Sequence, residues 1–398
     1  MNVALVGAID RYNYGDVLFP IIVEEALKSR ISDLSFEYFG YKESDLSKYN
    51  AKTTKNIKKL SEFNPDVIVI VGGQVLAAPW SATYLHLLDN YCLAHLYERA
   101  RQVLGNRIVN HFSKYKLKAS QKMPWIFEKA NYPDSKIIYN TVGGGEYKDS
   151  FRGMEEYYKK ALNDSDFISV RNIETKKNLE SLGVRNVEEF PDSAFLMSNL
   201  YPLDYLQMVL ERNSLLIEND YIVFQIAEEY SKGNIEEIVK QLSRVLESTN
   251  LSIVLLSIGQ VALHEDSVPL KSISEIMIDK GYIDRIIFLE EKSVFEIMGI
   301  IANSCLFIGT SLHGNVTALS YGKPSVGLDK RVIKLTELLK SNSVEEQVYA
   351  ADYENIYSSI VESLAIDPVK LKNKSIQNID KVNRNFDLIA ESIIDKRV

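Results

Sequence analysis

The stretch LFIGTSLHGNVTALSYGKPSVGLDK, residues 306–330, holds a single histidine between an apolar run and a helix-length segment. CLFIGT (305–310) reads as a buried strand, and GNVTALSYG (314–322) as a helix closed by Gly322. His313 falls at the seam between them. Histidine takes up and gives back a proton near neutral pH, and the first turn of a helix offers backbone N–H groups to an anion. The small neighbours Thr310, Ser311 and Gly314 leave room for a ligand beside the imidazole. That set suits general acid chemistry on a small anionic substrate. Lys330, at the next strand exit, would bring a second positive charge; its bland alternative is a surface lysine.

Other strand exits carry a matching chemistry. Arg171 ends the apolar run FISVR (167–171) and suits bidentate pairing with a carboxylate or phosphate. Its alternative is an ion pair with a nearby Asp or Glu. Asp192, in FPDSAF, is a second exit residue or a turn former. The first strand runs into GAIDRYNYGD (7–16), where Asn13 and Gly15 would contact substrate. Asp16 there would orient or deprotonate a hydroxyl, or cap a helix starting near Val17. Glycine clusters follow two more strands: Gly72-Gly73 and Gly143-Gly144-Gly145, with Gly73, Gly144 and Gly145 as candidate cleft-floor positions. His264, in ALHEDS, follows a later strand and would line the same cleft or lie in a solvent loop.

None of the glycine clusters is a GxGxxG fingerprint. GTSLHG is followed by Asn315-Val316 rather than Lys-Ser/Thr, which excludes a Walker-type phosphate loop. Cys92-Leu-Ala-His95 reads as a helical face, and no HExxH-like ligand set occurs, so no metal is expected.

The elements that must hold these residues are legible as rhythm. Short apolar runs alternate with amphipathic stretches: NVALVG (2–7), FEYFGY (36–41), DVIVIVGG (66–73), KIIYNTVGG (136–144), FISVR and NVEEFPD (186–192). The pattern then starts again with DYIVFQIA (220–227), LSIVLLSIG (251–259), DRIIFLE (284–290), CLFIGT and PSVGLD (324–329). Two successive βα series predict an α/β protein of two doubly wound, Rossmann-like domains facing a cleft. The predicted division is residues 1–205, with a helical insertion at about 75–130, and residues 206–372. A C-terminal helix over 373–398 is expected to cross back to the first domain.

The chain has 398 residues and a formal net charge of −8, which argues against a nucleic-acid partner. No apolar run reaches the roughly 18–20 residues needed to span a bilayer. The start has no secretory-signal pattern, and the two cysteines form no disulfide framework, so a cytoplasmic location is expected. The insertion is different in character: residues 97–130 hold eight Lys or Arg and two Glu. It reads as a solvated arm or homo-oligomer contact, or as a patch for an anionic acceptor such as a lipid-diphosphate-linked glycan at a membrane surface.

Taken in order, NYGD, the Gly-Gly exit, the glycines at 143–145, SVRN, FPDSAF, HED and IGTSLHG…A…YGKPSVGLDK resemble the polysaccharide pyruvyl transferase family. The resemblance spans roughly 1–340, with the insertion as its weakest part. It implies a fold similar to the GT-B glycosyltransferases, the first domain on the acceptor side and the second on the donor side. It implies transfer of pyruvate from phosphoenolpyruvate to two hydroxyls of one sugar in a cell-surface polysaccharide or its precursor, leaving a cyclic ketal. No cofactor beyond the donor substrate is implied; the expected location is the cytoplasm, with the inner face of the membrane as an alternative site of peripheral attachment. The family's catalytic histidine matches His313, and its strand-end arginine matches Arg171. Many members carry Arg-Leu-His where this chain has Ser311-Leu312-His313, which passes the donor's charge to Arg171 and Lys330. Two rivals share the architecture: a nucleotide-sugar-dependent glycosyltransferase and a non-catalytic glycan-binding relative.

Overall fold

A computed structural model describes residues 1–88, 90–144, 153–259 and 266–395. Gly145 and His264, both named above, lie outside the described residues. In the first half lie β1 (Asn2–Gly7), β2 (Ser35–Gly40), β3 (Lys55–Asn56), β4 (Val67–Val71), β5 (Lys136–Val142), β6 (Phe167–Val170) and β7 (Val187–Glu189), all but β3 grown from the apolar runs. Those of the second half become β8 (Tyr221–Gln225), β9 (Ser252–Leu256), β10 (Ile286–Leu289), β11 (Leu306–Gly309) and β12 (Ser325–Gly327). They build two sheets, ordered β3-β2-β1-β4-β5-β6-β7 and β10-β9-β8-β11-β12. Every strand pairing within them is parallel. Helices cover both faces of such sheets, which is why a strand such as β4 is valine and isoleucine throughout and fully buried. The two-residue β3 left no mark in the apolar pattern.

In each sheet the strand order reverses once, between β1 and β4 and between β8 and β11. The crevice at the carboxyl ends of such a pair is where doubly wound sheets bind ligands. The helices that matter here are α1 (Tyr14–Lys28), α2 (Trp80–Leu85), α3 (Tyr91–Leu104) and α4 (Asn106–Leu117), then α5 (Ile235–Ser248), α6 (Val294–Asn303), α7 (Leu312–Ser320) and α8 (Pro368–Ile394). α2, α3 and α4 all lie between β4 and β5. α5 shows why such segments pack on a sheet: Ile238, Val239, Leu242, Val245 and Leu246 repeat at helical spacing and are buried. α6 is started by a capping box of Ser293 and Glu296. Among the described residues, no helix is long and apolar enough to cross a membrane.

Two compact units result: residues 1–12, 16–193 and 381–398, and residues 13–15 and 194–380. From Lys381 onward α8 therefore belongs to the first unit. Its Val382, Phe386, Ile389 and Ile393 are buried and recur at i, i+4, i+7 and i+11. Each such side chain stabilises by about 1.5–3 kcal/mol. Arg30 Nε donates to Asp387 (2.8 Å) and its Nη2 to Asn383 Oδ1 (2.9 Å). Asn385 Nδ2 donates to Asn140 Oδ1 at 2.8 Å, and neither asparagine is exposed to solvent. Removing one of two buried hydrogen-bonded amides strands the other, at a cost of about 1–3 kcal/mol. Asn385→Ala should therefore lower the urea midpoint of the first unit's unfolding by that equivalent. A midpoint equal to wild type would show that the amide pair contributes nothing.

Candidate functional site

The reversal point of the second sheet is a polar knot at the ends of β8 and β11. Gln225, the last residue of β8, is buried, and its Oε1 accepts from the Ser311 N–H (2.8 Å) and from Thr310 Oγ1 (3.3 Å). Gly309 makes this possible, because a Cβ there would lie 2.6 Å from Gln225 Oε1. Thr310 Oγ1 in turn accepts from the Ala227 N–H at 3.1 Å. Gln225 was missed in the sequence, yet a polar residue ending a run of buried apolar ones was the available signal.

Ser311 starts the helix rather than touching a ligand through its hydroxyl alone. Its Oγ accepts from the Gly314 N–H at 3.1 Å, so α7 begins at Leu312, two residues before the expected start. His313 thus lies inside the first turn, half-buried. Gly314 packs its bare Cα on Phe307, whose ring would be 2.3 Å from a Cβ. Its place is set by packing.

The same unit contains Asn13, Tyr14 and Gly15. Asn13 Oδ1 accepts from the Gly15 N–H (3.3 Å), which starts α1 at Tyr14 instead of near Val17. The Tyr14 hydroxyl shares a 2.8 Å hydrogen bond with Thr317 Oγ1, which donates to the His313 carbonyl at 2.7 Å. Burial pushes the Tyr14 phenol well above its ordinary range, so it stays protonated and able to donate. Gly15 faces the imidazole: a Cβ there would sit 2.0 Å from His313 Nδ1. Asn13 and Gly15 thus bear on the histidine, through a cap and an absent side chain.

The first unit brings together another set. Gly72 (φ +133°) and Gly144 (φ +149°) adopt backbone that other residues rarely take. Between the two loops lies the Arg171 guanidinium. A Cβ on Gly73 would be 2.9 Å from its Nη1, and one on Gly143 would be 2.9 Å from its Nε. Thr141, a β-branched residue at φ +42°, accompanies a register shift between β5 and β6 just before Gly143. It is held by a bond from its N–H to Ser169 Oγ (2.8 Å) and one from the Ser193 N–H to its Oγ1 (3.2 Å). Arg171 Nη1 donates to Asp192 Oδ2 at 2.8 Å, with the two side chains 6% and 0% exposed. The ion-pair alternative for Arg171 is therefore the arrangement present.

Asp16 is the third residue of α1, where a carboxylate favours the helix N-terminus. Its Oδ2 is 3.8 Å from Arg11 Nη2. Arg11, unremarked in the sequence, also meets His86 Nδ1 (3.3 Å) and Asp10 Oδ1 (3.4 Å). Burial pushes the Asp10 carboxyl up, against the pull of Arg11 and the N–H groups of Lys42 and Tyr41. Lys330 is exposed and pairs with Asp352 at 2.6 Å, as a surface lysine does. Its neighbour Arg331 grips Asp329, with Nε 2.9 Å from Oδ2. Among the described residues, no group of three His, Cys, Asp or Glu side chains could hold a metal ion.

Two outcomes follow from these contacts. Gly15→Ala should displace the imidazole, seen as moved His313 cross-peaks in a spectrum of ¹⁵N-histidine-labelled protein; unmoved peaks would contradict the close contact. Asp192→Ala should destabilise the first unit by about 3–5 kcal/mol, by leaving a buried guanidinium uncompensated. Arg171→Met combined with Asp192→Leu should recover most of that loss in the same denaturant titration.

Comparison with known proteins extends the picture. The chain is similar in structure to UDP-GlcNAc 2-epimerase from Neisseria meningitidis bound to UDP-GlcNAc, with a TM-score of 0.58, 13% identity and 100% of each chain covered. The epimerase from Methanocaldococcus jannaschii gives 0.58 at 14% identity, covering 98% of this chain and 99% of that one. A glycosyltransferase from Rickettsia africae gives 0.54 at 12% identity, with 99% of each chain covered. These likenesses show a fold of the GT-B type, as the two Rossmann-like sheets suggest. A search of curated proteins returns no match. The polysaccharide pyruvyl transferase family model matches residues 13–329, which run from the Asn13 cap through His313 to the exit of β12, and the chain belongs to that family.

Proposed function

We propose that the chain transfers pyruvate from phosphoenolpyruvate to two hydroxyls of one sugar in a cell-surface polysaccharide or its precursor, closing a cyclic ketal. The observation that carries this reading is His313, set in the first turn of α7 at the reversal point of the second sheet and seated against Gly15. Phosphoenolpyruvate needs a proton on its methylene carbon before its C2 can accept an oxygen. The His313 imidazolium gives that proton, and C2 becomes electrophilic as the methyl group forms. The first sugar hydroxyl adds to C2 and returns its proton to the imidazole. The second hydroxyl then displaces phosphate, which leaves with the remaining proton. Backbone N–H groups at the start of α7 offset the charge of the bound anion.

With Ser311 serving as a cap and Lys330 held by Asp352, the donor's charge falls on those N–H groups. Arg171 holds the Gly73 and Gly143 loops in place through its contacts and its bond to Asp192. Asp16 positions or deprotonates the acceptor, supported by Arg11. No cofactor enters this scheme besides the donor itself, and the acceptor is a free or lipid-linked glycan.

The test is phosphate release from phosphoenolpyruvate against a panel of glycan acceptors, with the product's ketal methyl group followed by proton NMR. His313→Ala should lower turnover about 10²–10⁴-fold, the usual worth of a general acid, with an unchanged circular dichroism spectrum. Unaltered turnover would remove the acid assignment. Turnover of UDP- or GDP-linked sugars, with no phosphate released from phosphoenolpyruvate, would favour the nucleotide-sugar rival instead.

A further inference from the structure

α3 and α4 are amphipathic in an inverted sense. Their inward side is small and polar: Ala94, Val109 and Ser113 are buried, Tyr97 bonds Ser113 Oγ at 2.5 Å, and the Ser81 N–H bonds Asn110 Oδ1 at 2.9 Å. The large apolar side chains point outward. On α3 they are Leu93, Leu96, Val103 and Leu104, spaced i, i+3, i+10 and i+11, with Val103 82% exposed. On α4 they are Ile108, Phe112 and Tyr115, spaced i, i+4 and i+7, with Tyr115 76% exposed. Large apolar side chains exposed at helical spacing on two successive helices mark a contact with something less polar than water.

Charge identifies the occupant. Arg99, Arg107 and Lys116 are exposed on the same two helices, and Lys118 just beyond the end of α4. Lys116 Nζ lies 5.5 Å from the centre of the Phe112 ring. The acidic Glu98 is occupied by Arg101 at 2.7 Å. Beside α4 a depression of about 450 Å³ is floored by Trp80 and walled by Arg107, His111, Lys114 and Lys122. This basic surface stands on a chain whose net charge is −8. A second copy meeting it symmetrically would set like charges against each other. α3 has 14 residues, too short to span a bilayer that needs about 20.

We infer that the outward face of α3 and α4 docks the protein on an anionic phospholipid membrane. The apolar stripes enter the headgroup boundary, the lysines and arginines meet lipid phosphates, and the basic depression seats a headgroup. This surface is independent of the transferase reading and stands or falls without it.

The experiment is co-sedimentation with vesicles of phosphatidylcholine alone and of phosphatidylcholine with about 30% phosphatidylglycerol. Wild-type protein should bind the anionic vesicles and release in about 0.5 M salt, where charges are screened beyond a few ångströms. Leu96→Glu with Val103→Glu, and separately Arg107→Glu with Lys116→Glu, should each cut partition roughly tenfold or more, through lost apolar insertion and lost charge attraction respectively. Thermal melting reports whether both variants stay folded. Ile283→Glu, at an exposed apolar position of the second unit, should bind as wild type does. The inference is overturned if wild-type protein ignores anionic vesicles at low salt, or if Ile283→Glu loses binding as fully as the α3 variant. It is also overturned if sedimentation velocity finds a dimer that the α3 variant dissolves, since the face would then be a contact between copies.

Discussion

The imidazole of His313 occupies space that any side chain at position 15 would fill, and the second unit is organised to keep that space open. Ser311 caps α7, Gln225 anchors the backbone of that cap, and Tyr14 ties the start of α1 to Thr317 one turn beyond the histidine. Each bond is ordinary in strength, about 0.5–1.5 kcal/mol net. Together they fix the ring's depth and direction, which the proposed proton transfer to carbon requires more than it requires affinity. The residues from Asn13 to Gly15 belong to this unit for that reason, although the rest of α1 belongs to the other.

The first unit solves a different electrostatic problem. Arg171 is almost wholly removed from water and is balanced by an equally buried Asp192. Such a pair adds little net stability, because desolvation offsets its attraction, but it gives the guanidinium one orientation. The neighbouring glycines allow two loops to close on its planar face. The cations at the exit of β12 are treated otherwise: Lys330 is matched by Asp352 at the surface, where ion pairs are worth about 0–1 kcal/mol, and the exposed Arg331 covers the buried Asp329.

Much of this was readable in the residues. Parallel strands buried on both faces leave unbroken valine and isoleucine runs, so both βα series and the strands of both sheets, apart from β3, stand out from the sequence. Glycine exits, Arg171 and His313 were visible because polar or bare residues at the end of an apolar run need a reason. What could not be read was pairing across sequence distance. Asp192 meeting Arg171 over twenty-one positions, Asp352 reaching Lys330, and Arg11 reaching His86 all depend on folded geometry. Helix starts at Tyr14 and Leu312 moved earlier than expected because a side chain supplied the missing acceptor.

The order in which the chain is made gives α8 a further meaning. Phe386, Ile389 and Ile393 close a layer of the first unit, yet they leave the ribosome after the whole of the second has been synthesised. An unfinished first unit, with its apolar floor uncovered, must wait through the synthesis of roughly two hundred residues before its own last helix arrives. Nascent chains of this architecture are thus exposed to chaperones, and to one another, for longer than their strand order alone would suggest.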